Sequence, residues 1–298
     1  MTLTFRKLHG LFAAEASPID LRKVHDDATL AKIRAGMDEH AVLVFRDQPF
    51  TGAEQVDFAA RLDGQLHTKT GLNAIQENRH GHAALTDISN VDADGNVNKA
   101  DDRRRFYSLG NRLWHTDASF QDPAGRYSML NAQVVPDVDA DTEFADMRAA
   151  YDALPDEMKA RLEGLKVHHS LAYSRGMMGF SFSQAEQQTL QGAIHPLVRT
   201  LAGSKRKSLY LASHASMIVD WHVPEGRLLL WELMEHATQR EFVYRHSWRV
   251  NDLVIWDNLA LQHGRPGLER LSRRHLQRVT VADVSGADMI PQYIKLDQ

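Results

Sequence analysis

The chain of 298 residues contains no cysteine. Disulfides, thiolate nucleophiles, iron–sulfur clusters and cysteine-type zinc sites are thereby excluded, and any bound metal must be held by histidine, aspartate or glutamate. Long apolar runs are missing as well. No stretch approaches the ~18 apolar residues of a membrane-spanning helix. The first residues, Met1 to Ala16, carry an apolar run broken by His9, Gly10 and Glu15, too poor for the core of a signal peptide. A cytoplasmic protein is expected, and a cysteine-free chain fits a reducing compartment. An excess of one charge is also lacking: 35 Lys and Arg stand against 39 Asp and Glu, a net charge of -4. No global field therefore favours nucleic acid or an anionic membrane as partner. Neither a Gly-rich phosphate loop nor regular strand–helix–strand alternation is present, which argues against dinucleotide-binding and P-loop folds. What remains is an ordinary globular composition, 43% hydrophobic and 25% charged, with 16 histidines. The length suffices for ample core in one large domain or two small ones.

Residues 30–40 read as a helix leading into the buried-strand run Ala41-Val42-Leu43-Val44-Phe45. Thr51-Gly52-Ala53-Glu54 fits a capping box ahead of Val56, Phe58, Ala59 and Leu62 at helical spacing, with Gly64 as the stop. From about 67 to 102 the pattern dissolves into scattered Gly and Asn around one apolar stretch at 83–91. A connection this long in a compact domain is expected to be a lid or substrate loop. Further strands are expected at 127–135, 142–145, 242–248, 253–257 and 276–282, and as a hairpin of 194–200 with 207–212. Helices are expected at 147–154, 155–165, 182–190 and 226–236. Together these describe a mainly β protein with flanking helices, built on an antiparallel jelly roll.

One stretch concentrates the chemistry: Gly110-Asn111-Arg112-Leu113-Trp114-His115-Thr116-Asp117-Ala118-Ser119-Phe120. On a strand, His115 and Asp117 point to the same face and present an imidazole nitrogen and a carboxylate oxygen to one point. That is two-thirds of a facial triad for non-haem Fe(II), and His263, which follows Trp256-Asp257-Asn258, is the best third ligand. Two imidazoles and a carboxylate also suit Mn(II) or Zn(II). A three-ligand zinc site keeps an open position, so a metal-dependent hydrolase stays open beside an oxygenase.

Arg274 and Arg278 follow His263 by eleven and fifteen residues. On a strand they share a face with Leu276. Guanidiniums beside a metal are costly without anions. Two carboxylates, one from a 2-oxo acid and one from the substrate, would supply them through the Arg forks. A basic surface patch formed with Arg273 is the alternative, and the spacing disfavours it. The cluster Asp101-Asp102-Arg103-Arg104-Arg105 reads as a solvated face with one arginine a candidate to attract an anionic substrate. His168 and His169, adjacent on a strand, face opposite ways and share no metal. His214 is expected to be a hydrogen-bonded structural residue, and Trp114 and Trp256 to be core.

In combination these motifs resemble the 2-oxoglutarate-dependent taurine/2,4-D dioxygenase family over almost the whole chain. The residues that carry the resemblance are 41–48, Leu109-Gly110-Asn111 before Trp114-His115-Thr116-Asp117, Thr142-Glu143-Phe144-Ala145 through Tyr151, Trp256-Asp257-Asn258 before His263, and Arg274 with Arg278. The runs 143–154, 169–175 and 207–215 are most similar to the aryloxyalkanoate (2,4-D type) branch, its alpha subgroup in particular. The resemblance implies a double-stranded β-helix (cupin-like) core in a single domain over 1–298. It implies Fe(II) held by His115, Asp117 and His263, and 2-oxoglutarate whose distal carboxylate meets Thr142 and Arg274. It further implies O2 as co-reactant and a small anionic substrate gripped by Arg278 with Asn111 nearby. The implied reaction hydroxylates the carbon next to an ether oxygen, yielding a phenol and glyoxylate with succinate and CO2. A homo-oligomer is expected. A sulfonate such as taurine or another small carboxylate stays open as substrate, as does a non-enzymatic carboxylate-binding module. Two departures stand out: Asp139-Ala140 where the family usually has Gly-Gly, and Asp283 where a glycine is common.

Overall fold

The computed structural model describes residues 2–68, 81–92, 94–99, 101–136, 140–265 and 272–284. The chain opens with strands β1 (Thr4–Lys7) and β2 (Ala14–Ser17), helix α1 (Asp27–His40), β3 (Val42–Phe45) and α2 (Gly52–Asp63). Next come β4 (Leu85–Ser89), the short α3 (Arg103–Ser108), the long β5 (Gly125–Val134), β6 (Thr142–Asp146), α4 (Met147–Asp152) and α5 (Asp156–Leu162). A peripheral block follows: β7 (Lys166–His169), α6 (Leu171–Gly176), α7 (Gln184–Thr189), β8 (Ala193–Pro196), β9 (Val198–Thr200), β10 (Lys207–Leu209), β11 (Ala215–Ile218) and α8 (Val223–Ala237). Strands β12 (Val243–His246), β13 (Leu253–Asp257), β14 (Leu261–Gly264) and β15 (His275–Ala282) complete the fold. Among the described residues no helix is long and apolar enough to cross a membrane.

Seven strands make the major sheet, in the order β1-β2-β3-β13-β5-β15-β4, and β12-β6-β14 make the minor sheet of the jelly roll. The run 42–45 shows why no polar alternation marks these strands. Val42 and Val44 pack between the sheets with Leu130, Val254 and Trp256 of the major sheet and Phe144 and Leu261 of the minor one. Leu43 and Phe45 point the other way, onto Ile33 and Met37 of α1 and Phe58 and Leu62 of α2. A strand covered on both faces is apolar at every position. The same alternation on β15 turns Val279 and Val281 toward the helices and Leu276 inward. Arg278 and Thr280 share Leu276's face and lie opposite Leu130 and Ser128 of β5.

The helix signals hold with small shifts. Thr51 and Glu54 form the capping box of α2, which ends at Gly64 with φ +82°. Helix α1 starts earlier than the apolar spacing suggests because the Asp26 side chain accepts from Thr29 N at 2.8 Å. Ala41 is its left-handed cap, φ 57°, and so not part of the strand. The expected hairpin is smaller: β9 and β10 pair only over three residues each, and β8 pairs with β7 instead. Within the expected 67–102 loop, residues 69–80, 93 and 100 lie outside the described residues, as does Asp139. The described part adds β4 to the sheet edge beside β15. Asp283, the other departure, is buried and accepts from Arg199 Nη2 at 2.8 Å.

The clearest correction concerns residues 113–120, which are not a strand. His115 makes one antiparallel bridge to His263. Each backbone N–H donates to the other's carbonyl, at 2.9 and 2.8 Å. The chain then turns through Asp117 and Ala118, the latter at φ 55°. His115 and Asp117 share an environment because of this bridge and turn, not because of strand alternation.

Burial pushes the Asp257 carboxyl at the end of β13 up to about 6, although Leu259 N donates to its Oδ1 at 2.8 Å. With the folded pKa above the usual ~3.9, the native state binds this proton more tightly than the unfolded chain does. Stability is therefore lost as pH rises from about 4 through about 6, and the loss is complete above that window. Asp257→Asn keeps the Leu259 bond. It should raise the melting temperature at pH 8 by the equivalent of roughly 1–3 kcal/mol and give no gain at pH 4. Equal melting temperatures at pH 8 would contradict this account.

Candidate metal centre

His115, Asp117 and His263 converge between the sheets, all buried, with their candidate ligand atoms within 4.8 Å of one another. The two rings lie 4.1 Å apart between centroids, and His263 Nε2 is 3.9 Å from Asp117 Oδ2. Strand β14 carries His263, held on β6 opposite Phe144. The His263 ring packs against Trp256 at 4.7 Å and Phe144 at 6.1 Å. Trp256 is thus core, as expected, and Trp114 packs against a separate core cluster.

Local hydrogen bonds set the chemistry of each donor. His115 Nδ1 lies 2.8 Å from the Leu113 carbonyl. A carbonyl only accepts, so Nδ1 carries the hydrogen and Nε2 keeps its lone pair for a metal. Burial brings the His115 pKa down to about 4, and burial followed by the charge of His115 holds His263 well below its ordinary range. Both imidazoles are neutral, the ligating form. For Asp117 burial works upward, but Arg278, His263 and His115 outweigh it and bring the pKa to about 2. Arg278 Nη1 donates to Asp117 Oδ1 at 2.5 Å and Ser128 Oγ to Oδ2 at 2.7 Å.

Asn258 ties this arrangement together. Its side-chain oxygen accepts from Asp117 N at 3.1 Å and Trp256 Nε1 at 2.9 Å, its Nδ2 donates to Ser128 Oγ at 3.0 Å, and its carbonyl accepts from Thr116 Oγ1 at 2.6 Å. Sequence reasoning gave Asn258 and Ser128 no role. The available signal was a serine within the apolar run of β5 and an asparagine in the turn that follows β13.

All seven residues singled out from the sequence line one cavity: Asn111, His115, Asp117, Thr142, His263, Arg274 and Arg278. Thr142 Oγ1 accepts from Trp248 Nε1 at 3.0 Å, which leaves the hydroxyl hydrogen to be donated. Arg274 is buried, and its Nε has no hydrogen-bond partner. Burial, then the charge of Arg265, lowers its pKa to about 9, and no carboxylate among the described residues pairs with it. From the 101–105 cluster only Arg104 reaches the cavity wall, paired with Asp102 at 2.8 Å, while Arg103 turns away to Glu186 at 2.7 Å. His214 is hydrogen-bonded to Ser174 Oγ at 2.8 Å, as a structural histidine should be, and it also lines the cavity, 6.1 Å from the His115 ring. His168 bonds Ser216 at 2.8 Å, and no metal cluster among the described residues includes it or His169.

A jelly roll with two neutral imidazoles and an ionised carboxylate facing one point defines a class of metal-dependent oxygenases. Residues 4–280 match the taurine catabolism dioxygenase TauD, TfdA family, and the chain belongs to that family. It is 46% identical to the alpha-ketoglutarate-dependent 2,4-dichlorophenoxyacetate dioxygenase of Cupriavidus pinatubonensis over 95% of this chain and 99% of that protein. It is 34% identical to the (S)-phenoxypropionate/alpha-ketoglutarate-dioxygenase of Sphingobium herbicidovorans over 86% of each. The crystal structure of AAD-2 in complex with Mn(II) and N-oxalylglycine superposes with a TM-score of 0.86 at 43% identity, covering 95% of this chain and 97% of the other.

Proposed function

We propose that the protein is an Fe(II)- and 2-oxoglutarate-dependent dioxygenase that hydroxylates aryloxyalkanoates such as 2,4-dichlorophenoxyacetate next to the ether oxygen. The observation that carries this reading is the shared cavity. Two neutral imidazoles and an ionised carboxylate share the cavity with Arg274, a buried guanidinium with no carboxylate partner among the described residues. The relatives named for 2,4-dichlorophenoxyacetate and phenoxypropionate support the substrate class. The donor set fits iron: no thiolate, two imidazoles and one carboxylate. With 2-oxoglutarate and O2, the metal supplies the oxidising power for C–H hydroxylation, and succinate and CO2 leave.

The chain's own residues bind, orient and enclose. His115, Asp117 and His263 would hold the metal. The Ser128–Asn258 network fixes the Asp117 carboxylate and the backbone that bears it. Arg274 matches the distal carboxylate of 2-oxoglutarate in charge, and the Thr142 hydroxyl donates to it. Arg278 uses one nitrogen on Asp117, while its Nε has no partner. Its remaining N–H groups take the substrate carboxylate, with Asn111 on the cavity wall beside it. The next carbon of an aryloxyacetate bears the ether oxygen, so the held carboxylate aims that C–H at the metal. Hydroxylation there gives a hemiacetal, which collapses to a phenol and glyoxylate. The enzyme acts as a single domain on a small anion, in the cytoplasm and as a homo-oligomer. The cysteine-free composition supports the compartment, and exposed Leu228 and Trp231 on α8 give the assembly an apolar face.

Anaerobic addition of Fe(II) and 2-oxoglutarate should produce a weak visible charge-transfer band. 2,4-Dichlorophenoxyacetate should shift it, and air should then release the phenol. A band without phenol would redirect the search to other anions, starting with taurine. Absence of the band would reject the 2-oxoglutarate reading in favour of a metal-dependent hydrolase.

A further inference from the structure

One charged side chain of the cavity has no place in the roles above. Arg175, on α6, is buried and lines the same cavity as His115, Asp117 and Arg278. Its guanidinium lies over the Tyr107 ring, 4.6 Å from the centroid. Gly110 is a second close neighbour, where a Cβ would sit 2.2 Å from the guanidinium carbon. Any larger residue at 110 would therefore displace Arg175. Nε has no hydrogen-bond partner, and Nη1 makes one 3.5 Å contact with Ser174 Oγ. Among the described residues no carboxylate is ion-paired with Arg175.

We infer that Arg175 is a second anchor for the substrate carboxylate, gripping it together with Arg278. The inference rests on the functional reading above. Stacking on Tyr107 accounts for where the group lies but not for its charge, because a neutral side chain would fill the slot without the cost of desolvation. Burial lowers its proton affinity, Tyr107 opposes that, and the charge of nearby Arg278 adds to the lowering. Asp117, the one acid in its electrostatic surroundings, is already bonded to Arg278 and Ser128. A monoanion entering between the two guanidiniums removes their repulsion and gives Arg175 its missing counter-ion. Arg278 then sets the position of the carboxylate on β15, and Arg175 closes on it from α6.

The test is separate measurement of KM for 2,4-dichlorophenoxyacetate and for 2-oxoglutarate in the wild type, Arg175→Met, Arg175→Lys and Gly110→Ala. Truncating one partner of a buried charge pair should raise the herbicide KM at least ~30-fold in Arg175→Met. Lysine lacks the fork, and the methyl group added by Gly110→Ala pushes the guanidinium aside, so each change should raise it about tenfold. KM for 2-oxoglutarate should stay within about threefold of the wild type, and the anaerobic Fe(II)–2-oxoglutarate band should form in every variant. The herbicide concentration needed to shift that band should rise in step with KM, a readout independent of turnover. An unchanged herbicide KM in folded Arg175→Met would leave stacking as the whole role. A raised 2-oxoglutarate KM would assign the residue to the cosubstrate. If Arg175→Met does not fold, Arg175→Lys and Gly110→Ala decide on the same criteria. A wild type without the band refutes the functional reading and the anchor with it. A wild type with the band, and variants of unchanged herbicide KM, refute the anchor alone.

Discussion

His115→Ala should abolish the anaerobic Fe(II)–2-oxoglutarate band and lower phenol release at least ~1000-fold, with the far-UV circular dichroism of the folded protein retained. In the proposed centre the metal would be held at only three points, and two cannot define a face of the coordination sphere. The structural cost is separate and smaller. The Leu113 carbonyl loses its 2.8 Å donor, but the two backbone bonds between residues 115 and 263 do not depend on the imidazole. An unpaired buried carbonyl costs about 1–3 kcal/mol, a fraction of a domain's stability. Full activity in this variant would show that the metal sits elsewhere.

Arg274→Met should move two quantities in opposite directions. Among the described residues the arginine is a buried cation without a carboxylate partner, its pKa lowered to about 9 by burial and then by Arg265. An apolar side chain of similar length removes that desolvation cost, so the melting temperature without ligands should rise. The same change removes the charge proposed to meet the distal carboxylate of 2-oxoglutarate. Two charge-assisted hydrogen bonds at about 1.5–3 kcal/mol each correspond to a rise of roughly 100–1000-fold or more in the cosubstrate KM. KM for the herbicide should change much less. Melting curves with and without N-oxalylglycine and Mn(II) test both arms: the variant should melt higher alone and gain far less from the pair. A variant that melts lower and keeps its cosubstrate KM would make Arg274 a structural residue.

Much of the candidate site was legible in the chain because its chemistry is carried by residue type. With no cysteine, a His-x-Asp pair and a later histidine leave few ways to hold a metal. Arg278 on β15 and the buried Arg274 just before that strand call for anions whatever the fold. The buried runs at 42–45 and 253–257 and the Thr51–Glu54 cap are local patterns, and local patterns survive in the tertiary structure.

What the sequence did not contain is anything set by pairing between distant segments. The 113–120 stretch alternates like a strand yet is a single bridge and a turn, because β14 arrives beside it and fixes the backbone of His115. Asn258 and Ser128 became parts of the centre only through the register that brings β13 and β5 together. Arg175 entered the cavity from a peripheral helix, admitted by the missing side chain at Gly110. The sequence by itself determined the donor set, the missing counter-ions and the double-faced strands, since these follow from side-chain chemistry and local period. The tertiary structure alone decided which groups meet, because strand register and helix docking are long-range choices that no local window encodes.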